Sequence, residues 1–504
     1  MKPALQFLAS LLFATTAAAQ SVAQNRGPLE ATPLSLEDAL TIAEAKSEQV
    51  AIARAGVTRA DGEKKRARSE RFPQLVLLAS YDRTLASEFS GLFDESGDAT
   101  GDEEGSSFED LPFGRKNIWR IGLTFSQALY TGGRVAALEA TADAGRSVAE
   151  IAVASARAQL ALDVIRAYYD AALSDRLVTI AESALTQADA AYQQTTLAYQ
   201  AGTQPEFEQL RAQVERDNQQ PIVIRRTSER DLAYLRLKQL LELPASATLQ
   251  LTAALDGLTL APPERFATVV ALAEEAAEKN QPEMPVRAPV RQAESAIRIS
   301  DAAVNLARAA RLPSVSVNSS YGKVNYPGGF FPDVNEFRTN WTIGVGVQVP
   351  ILTGGRLKAD QAIAVADKQV TDLRLKQTRE LVELDTRAAY EELRSARASW
   401  EASAGTVTQA ARAYQIAEVR YRQGISTQLE LSDSRLALEL AAANRAMAGR
   451  DLQVSRARVA LLPDLPLGAR GGSPQITAPP VPVAPPARLP QAPGTRVVVG
   501  NGSS

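Results

Sequence analysis

The side chains that carry most nucleophilic and transition-metal chemistry are absent from this 504-residue sequence. It contains no histidine and no cysteine, which removes Ser-His-Asp and Cys-His catalysis and the commonest transition-metal ligand. A carboxylate pair could still hydrolyse glycosidic bonds, but no pocket-forming context surrounds such a pair. The sequence therefore predicts no catalytic residue, no metal site, no cofactor and no enzyme activity. The formal net charge of -3 gives no indication of nucleic-acid binding.

Two further patterns could be taken for ligand sites, and each has a simpler explanation. Thr131-Gly132-Gly133-Arg134 is glycine-rich, but it lacks the G-x4-G-K-[ST] spacing of a phosphate loop. The segment from Asp82 to Lys116 is rich in Asp and Glu, but it lacks the D-x-D-x-D-G spacing of a calcium loop. We therefore expect a chain reversal at the glycines and a solvated external loop at the acids.

An internal repeat organises the elements that surround these residues. Trp119 recurs as Trp341, an offset of 222 residues (341 − 119). The same offset takes Thr131-Gly132-Gly133-Arg134 onto Thr353-Gly354-Gly355-Arg356, Tyr168 onto Tyr390, Tyr192 onto Tyr414, Tyr199 onto Tyr421 and Gly202 onto Gly424. We expect a first repeat over residues 34–243 and a second over 266–463, each with a helix, two strands and a long helix pair whose turn lies near Gly202 or Gly424.

The strands are predicted at about 74–81, 118–130, 313–321 and 341–352. Apolar residues alternate with small or polar ones, clearly after Trp119 and Trp341 and more weakly in the first strand. Each run approaches the ~9–11 residues of a tilted membrane strand. A Trp at the same end of two strands suits an interfacial aromatic girdle. A soluble two-sheet sandwich is the alternative, but very long helices separate these strand pairs.

Four strands are too few to close a membrane barrel, which needs at least about 8. Open edges in lipid would leave backbone groups unpaired. Several copies of the chain must therefore share one barrel, and three copies would supply twelve strands.

Long helices account for most of the remaining sequence. Residues 135–200 contain no proline, and 66 residues at ~1.5 Å each would extend roughly 100 Å. Tyr192 and Tyr199, like Tyr414 and Tyr421, lie in heptad seams. Second helices are predicted at about Glu206–Leu243 and Thr427–Leu462. A simple dimeric coiled coil would explain these helices but not the strands.

Both ends of the sequence differ from its body. Lys2, an apolar run and Ala17-Ala18-Ala19 predict a cleaved secretory signal over residues 1–19. Residues 464–504 are rich in proline and predict a disordered or polyproline-like tail. We expect an exported protein.

Several duplicated motifs resemble the TolC-like outer-membrane efflux proteins over roughly residues 34–463. They are Arg71-Phe72-Pro73 and Arg311-Leu312-Pro313 before a strand, W…T-G-G-R at a strand-to-helix junction, Y-x6-Y-x2-G between long helices, and the opening Ser35-Leu36-Glu37-Asp38-Ala39-Leu40. The resemblance implies a homotrimer with a twelve-stranded barrel in outer-membrane lipid and an α-helical barrel in the periplasm of a Gram-negative bacterium. It implies that cargo arrives from an inner-membrane transporter through a periplasmic adaptor.

The resemblance also implies specific roles for residues near the helix turns. Glu430 and Asp433 match two acidic positions of the periplasmic constriction, and Glu208 matches one of them in the first repeat. Ser426 replaces a basic residue that bridges helices in the closed state, so Arg420 or Arg422 could serve instead. A carboxylate early in a helix also favours the helix dipole, and this simpler role remains open, especially for Glu208. Gly132, Gly133, Gly354 and Gly355 would turn the chain between barrel and tunnel.

We therefore predict a passive, gated duct for small molecules. A duct for type I protein secretion is the alternative within this class. A periplasmic coiled-coil adaptor or scaffold is the alternative from another class, although an adaptor carries one hairpin rather than two copies of paired strands.

Overall fold

The computed structural model describes residues 32–85, 116–255, 257, 260–279 and 286–468. The chain divides into two units, Met1–Leu467 and Gly468–Ser504. All elements named below belong to the first unit. The predicted signal, nearly all of the acidic loop and the tail beyond Gly468 lie outside the described residues.

Four antiparallel strands form one sheet in the order β2-β3-β5-β6. They are β2 (Gln74–Arg83), β3 (Asn117–Tyr130), β5 (Ser314–Asn325) and β6 (Arg338–Gln348). A second, parallel pair joins β1 (Thr32–Leu34) to β4 (Leu249–Leu251). Strands β2 and β6 are the two open edges of the larger sheet.

The register assigns every side chain of this sheet to one of two faces, because residues directly opposite one another share a face. Trp119 is opposite Tyr81 and Asn325, and Trp341 is opposite Tyr321. We call the face that carries these residues the apolar face; it also carries Leu75, Leu77, Ile121, Leu123, Phe125, Val317, Ile343, Val345 and Val347. The opposite, polar face carries Gly122, Thr124, Ser126, Asn318, Ser320 and Thr342, together with Val76 and Leu78.

Eight helices accompany these strands in the described part of the chain. They are α1 (Leu36–Lys46), α2 (Glu48–Ser69), α3 (Arg134–Gln200), α4 (Glu206–Leu240), α5 (Ala267–Glu278), α6 (Ala288–Ala309), α7 (Arg356–Arg422) and α8 (Gln428–Leu461). Helices α3 and α7 have 67 residues each. Helix α3 packs against α4 and α8, and α7 packs against α8 and α6. None of the described helices is both long and apolar enough to cross a membrane.

Element ends differ from the expected ones where proline or backbone conformation intervenes. Strand β6 ends at Gln348 rather than near 352, because Pro350 has no N–H to donate to a ladder. Helix α4 ends at Leu240 rather than Leu243, because Glu242 has a positive φ of 52° and Pro244 follows it. Strand β5 continues to Asn325, beyond the expected 321.

Candidate functional site

The two helix turns at the end remote from the sheet share one backbone design. Gly202 and Gly424 each have a φ of +72°, and each amide donates to a tyrosine carbonyl three residues earlier, at 2.9 Å. The next residue donates to a carbonyl five residues earlier, as in a Schellman cap. A side chain at either glycine would meet open space, so the left-handed conformation is what requires glycine here.

Of the three predicted constriction acids, two lie on α8 and one on α4. The Glu430 amide donates to the Thr427 hydroxyl, which caps the start of α8. The Glu430 carboxylate pairs with Arg420 at 2.7 Å. Asp433 is exposed one turn further along α8. The side chains of Glu430 and Asp433 are therefore not buried within the single chain.

Glu208 has a different environment, close to the phenol of Tyr421. Burial raises the pKa of the Tyr421 phenol, and the negative charge of Glu208 raises this pKa further. One carboxylate oxygen of Glu208 is buried and has no hydrogen-bond partner among the described residues.

Contacts that join the two hairpins are not visible as sequence patterns. Glu215 of α4 accepts hydrogen bonds from Ser432, at 2.7 Å, and from Arg435 of α8. Tyr421 packs with Ala417 and Leu431, and Ala191 of α3 covers this group. Only the heptad position of Tyr421 could have indicated part of this contact.

The two copies of the repeat are not equivalent at these contacts. Tyr421 is 5% exposed, whereas Tyr199, its counterpart in the first copy, is 41% exposed. The difference arises because Tyr421 packs in a group that Ala191 of α3 covers. The same sequence motif therefore gives a buried ring in one hairpin and a largely exposed ring in the other.

Four glycines join the sheet to α3 and α7. Their φ angles are +61° at Gly132, +90° at Gly133, +58° at Gly354 and +84° at Gly355. A Cβ at Gly132 would lie 2.7 Å from the Leu312 Cβ and 2.9 Å from the Ala309 carbonyl oxygen. A Cβ at Gly354 would meet nothing within 4 Å.

Gly132→Ala is expected to destabilise the protein more than Gly354→Ala. Both substitutions force alanine into a left-handed conformation, at about 1–2 kcal/mol, but only Gly132→Ala adds a clash with the end of α6, worth about 1–3 kcal/mol more. Thermal unfolding of the two purified variants, followed by circular dichroism, measures the difference. Equal losses would show that the chain next to Leu312 yields without cost.

The two tryptophans differ in their surroundings although both lie on the apolar face. The Trp119 indole N–H donates to the Phe330 carbonyl at 3.0 Å, and its ring centroid lies 4.8 Å from that of Tyr81. Trp341 is 72% exposed, and its N–H donates to the Ser319 hydroxyl at 3.2 Å. Trp119 lies near the start of β3 and Trp341 near the start of β6, and the β5 residues opposite them are Asn325 and Tyr321.

Buried arginines form a further cluster that sequence reasoning missed. Arg287, at the start of α6, is 0% exposed and donates to Asp385 of α7 at 2.7 Å and to the carbonyls of Leu462 and Leu465. Arg458 of α8 donates to the same Asp385 at 3.0 Å. One carboxylate thus ties three helices together where the second repeat begins and ends.

Known proteins resemble this chain in sequence. A family model described as outer membrane efflux protein matches residues 39–242 and 286–472, one segment for each repeat. A solvent efflux pump outer membrane protein of Pseudomonas putida is 25% identical over 378 residues, or 73% of this chain and 72% of the relative. A toluene efflux pump outer membrane protein of the same species gives the same values.

Solved structures share the fold. The CmeC outer membrane channel of Campylobacter jejuni gives a TM-score of 0.68 at 16% identity, with 86% of each chain covered. The open state of the MtrE outer membrane channel of Neisseria gonorrhoeae gives 0.66 at 18% identity, covering 88% of this chain and 94% of the other.

Proposed function

The chain belongs to the outer membrane efflux protein family, and from that premise we propose that three copies form one outer-membrane channel continued by an α-helical tunnel. Membership confirms the predicted family, the duplicated fold and the outer-membrane location. The single observation that carries the assembly is the four-stranded sheet with an apolar face and two open edges.

The open edges require partners in a membrane. Within the described part of the chain, strands β2 and β6 each leave one side of their backbone unpaired, and unpaired backbone groups in hydrocarbon cost several kcal/mol each. Pairing β6 of one copy with β2 of the next removes both edges. Three copies then close a barrel of twelve strands, within the range of membrane barrels.

The channel is the passive outer-membrane component of a tripartite efflux system, working with a periplasmic adaptor and an inner-membrane pump. The relatives are named for solvent and toluene efflux, which favours small molecules over secreted proteins as cargo. The duplicated paired strands argue against the adaptor alternative. Gating is the uncoiling of helices next to Gly202 and Gly424, where the left-handed turns end the hairpins.

Glu430 and Asp433 would form rings of carboxylates around the threefold axis. Among the described residues of the single chain, Arg420 is the cation that pairs with Glu430, and that partly exposed pair is worth about 0–1 kcal/mol. Glu208 contributes less because one of its carboxylate oxygens is buried within the chain. Rings of one charge sign concentrate counter-ions in a narrow pore.

Neutralising these rings is expected to lower cation selectivity. The purified protein should conduct in planar lipid bilayers. In Glu430→Gln with Asp433→Asn, the cation-to-anion permeability ratio should fall about tenfold, the lower end of the enrichment in charge-lined clefts. Reversal potentials in a salt gradient give the ratio.

Two matched controls accompany this measurement. Asp360→Asn with Glu383→Gln removes the same charge from α7 remote from the turn, and Arg420→Gln breaks the ion pair while keeping both acids. Asp360→Asn with Glu383→Gln should retain the wild-type ratio, whereas Arg420→Gln should raise it, because Glu430 loses the cation that pairs with it. A wild-type protein that forms no conducting pore contradicts the channel itself, whereas an unchanged ratio in the double variant contradicts only the rings.

A further inference from the structure

The charged residues on the apolar face of the described strands are all basic and lie toward one end of the sheet. Among the described strand residues on this face, only Arg83 and Lys323 are charged, and both are basic. The acidic residue nearby, Asp82, lies on the polar face and pairs there with Arg120. Among the described strand residues, the apolar face therefore carries positive charge and no carboxylate.

Both basic residues lie at the end of the sheet remote from the helices. Arg83 is the last residue of β2, and Lys323 lies near the end of β5, which closes at Asn325. Strand β5 starts directly after α6, so its far end is on the external side. A Lys or Arg facing lipid costs about 2–4 kcal/mol at the bilayer midplane but only about 0–1 kcal/mol near the interface.

Both side chains are exposed, and neither has an ion-pair partner within the described part of the chain. Their register partners on β3 are Asn117 and Ile121. Four residues along β3 and two strand spacings separate them, so their Cα atoms lie roughly 17 Å apart. The two side chains are thus far enough apart to hold two separate anionic groups.

Aromatic rings occupy the space beside these charges. Tyr81, Trp119, Phe330 and Phe331 form a chain of ring contacts 4.8–6.3 Å between centroids. The Asn117 amide donates to the Gly329 carbonyl at 2.9 Å and holds the β5–β6 loop against this cluster. Amphipathic rings of this kind favour the level of lipid headgroups.

We infer that Arg83 and Lys323 bind the phosphates of anionic lipid in the outer leaflet, with the aromatic cluster against the upper acyl chains. The inference rests on the proposed function, because it needs this face to be in contact with the outer membrane. The partner is a phosphate-bearing lipid rather than free phosphate, since the charges border an apolar surface that free phosphate would not contact.

Native mass spectrometry of the detergent-purified trimer, titrated with bisphosphorylated lipid A, tests this inference. Arg83→Gln with Lys323→Gln should weaken lipid binding about tenfold or more, since two phosphate contacts are lost. Arg338→Gln is the matched control, and this variant should bind lipid as the wild type does. Arg338 is the first residue of β6, so it lies at the same end of the sheet as Arg83 and Lys323 but on the polar face. Excess inorganic phosphate should not compete.

Two results would overturn the inference. One is equal lipid binding by the double variant and the wild type. The other is competition by inorganic phosphate, which would indicate a free-anion site. Bilayer conductance of the same double variant separates the two proposals: a conducting trimer that binds lipid normally contradicts the lipid site alone, whereas a wild-type protein that forms no trimer contradicts the channel.

Discussion

Asp385→Ala is expected to lower the free energy of unfolding by about 3–5 kcal/mol, the usual loss when one partner of a buried ion pair is removed. Asp385 accepts from Arg287 at 2.7 Å and from Arg458 at 3.0 Å. Both guanidinium groups are buried. Without the carboxylate, these two positive charges are left with backbone carbonyls, the Thr386 hydroxyl and Glu392 as partners.

The apparent melting temperature of the purified trimer and its yield in the outer-membrane fraction measure this loss. Glu383→Ala is the matched control, because Glu383 also lies on α7, in an exposed pair with Arg387 at 2.6 Å. Exposed pairs of this spacing contribute about 0.3–0.5 kcal/mol. If Asp385→Ala lowers the melting temperature no more than Glu383→Ala, the carbonyls of Leu462 and Leu465 suffice to hold Arg287.

The features that could be predicted from sequence are those with a short period or a constant offset. Alternation after Trp119 and Trp341 locates two strands because side-chain direction reverses at every residue. The proline-free run after Val135 predicts α3, since nothing in it interrupts the backbone ladder. The repeat of 222 residues (341 − 119) then transfers each element to the second half of the chain.

The features that could not be predicted depend on single contacts between distant segments. Strands β1 and β4 are short and pair Thr32 with Leu249, so no periodicity reveals them. Arg287 is one of many arginines in the sequence, and only the folded chain brings it to Asp385 and the carbonyls after α8. The unequal burial of Tyr199 and Tyr421 likewise arises from packing that identical motifs cannot encode.

The surroundings of the candidate acids also could not be predicted from the sequence. Their spacing after Gly202 and Gly424 is visible in the sequence, but the partner of each carboxylate is not. Glu430 pairs with Arg420 across the turn, whereas Glu208 has a buried carboxylate oxygen without a hydrogen-bond partner among the described residues. Equivalent positions in a repeat therefore have different electrostatic surroundings, which is why we expect the rings to depend on Glu430 and Asp433.

Val345→Arg is expected to abolish assembly in the outer membrane, whereas Thr342→Arg on the same strand should be tolerated. Val345 lies near the middle of β6 on the apolar face, and Thr342 lies on the polar face. Arginine facing the bilayer midplane costs about 2–4 kcal/mol, and a trimer incurs this cost three times. Arginine on the polar face enters the water-filled lumen instead, where it should reduce cation conductance without loss of the trimer.

Membrane fractionation followed by unheated gel electrophoresis compares these two variants in one experiment. The Thr342→Arg trimer should be recovered at the wild-type level, and the Val345→Arg chain should be missing from the outer-membrane fraction. Both substitutions add the same side chain to the same strand, so a general effect of arginine on export or folding would lower both yields together. Equal recovery of both trimers would mean that the apolar face does not contact lipid, and the reason for sharing one barrel among three chains would be lost with it.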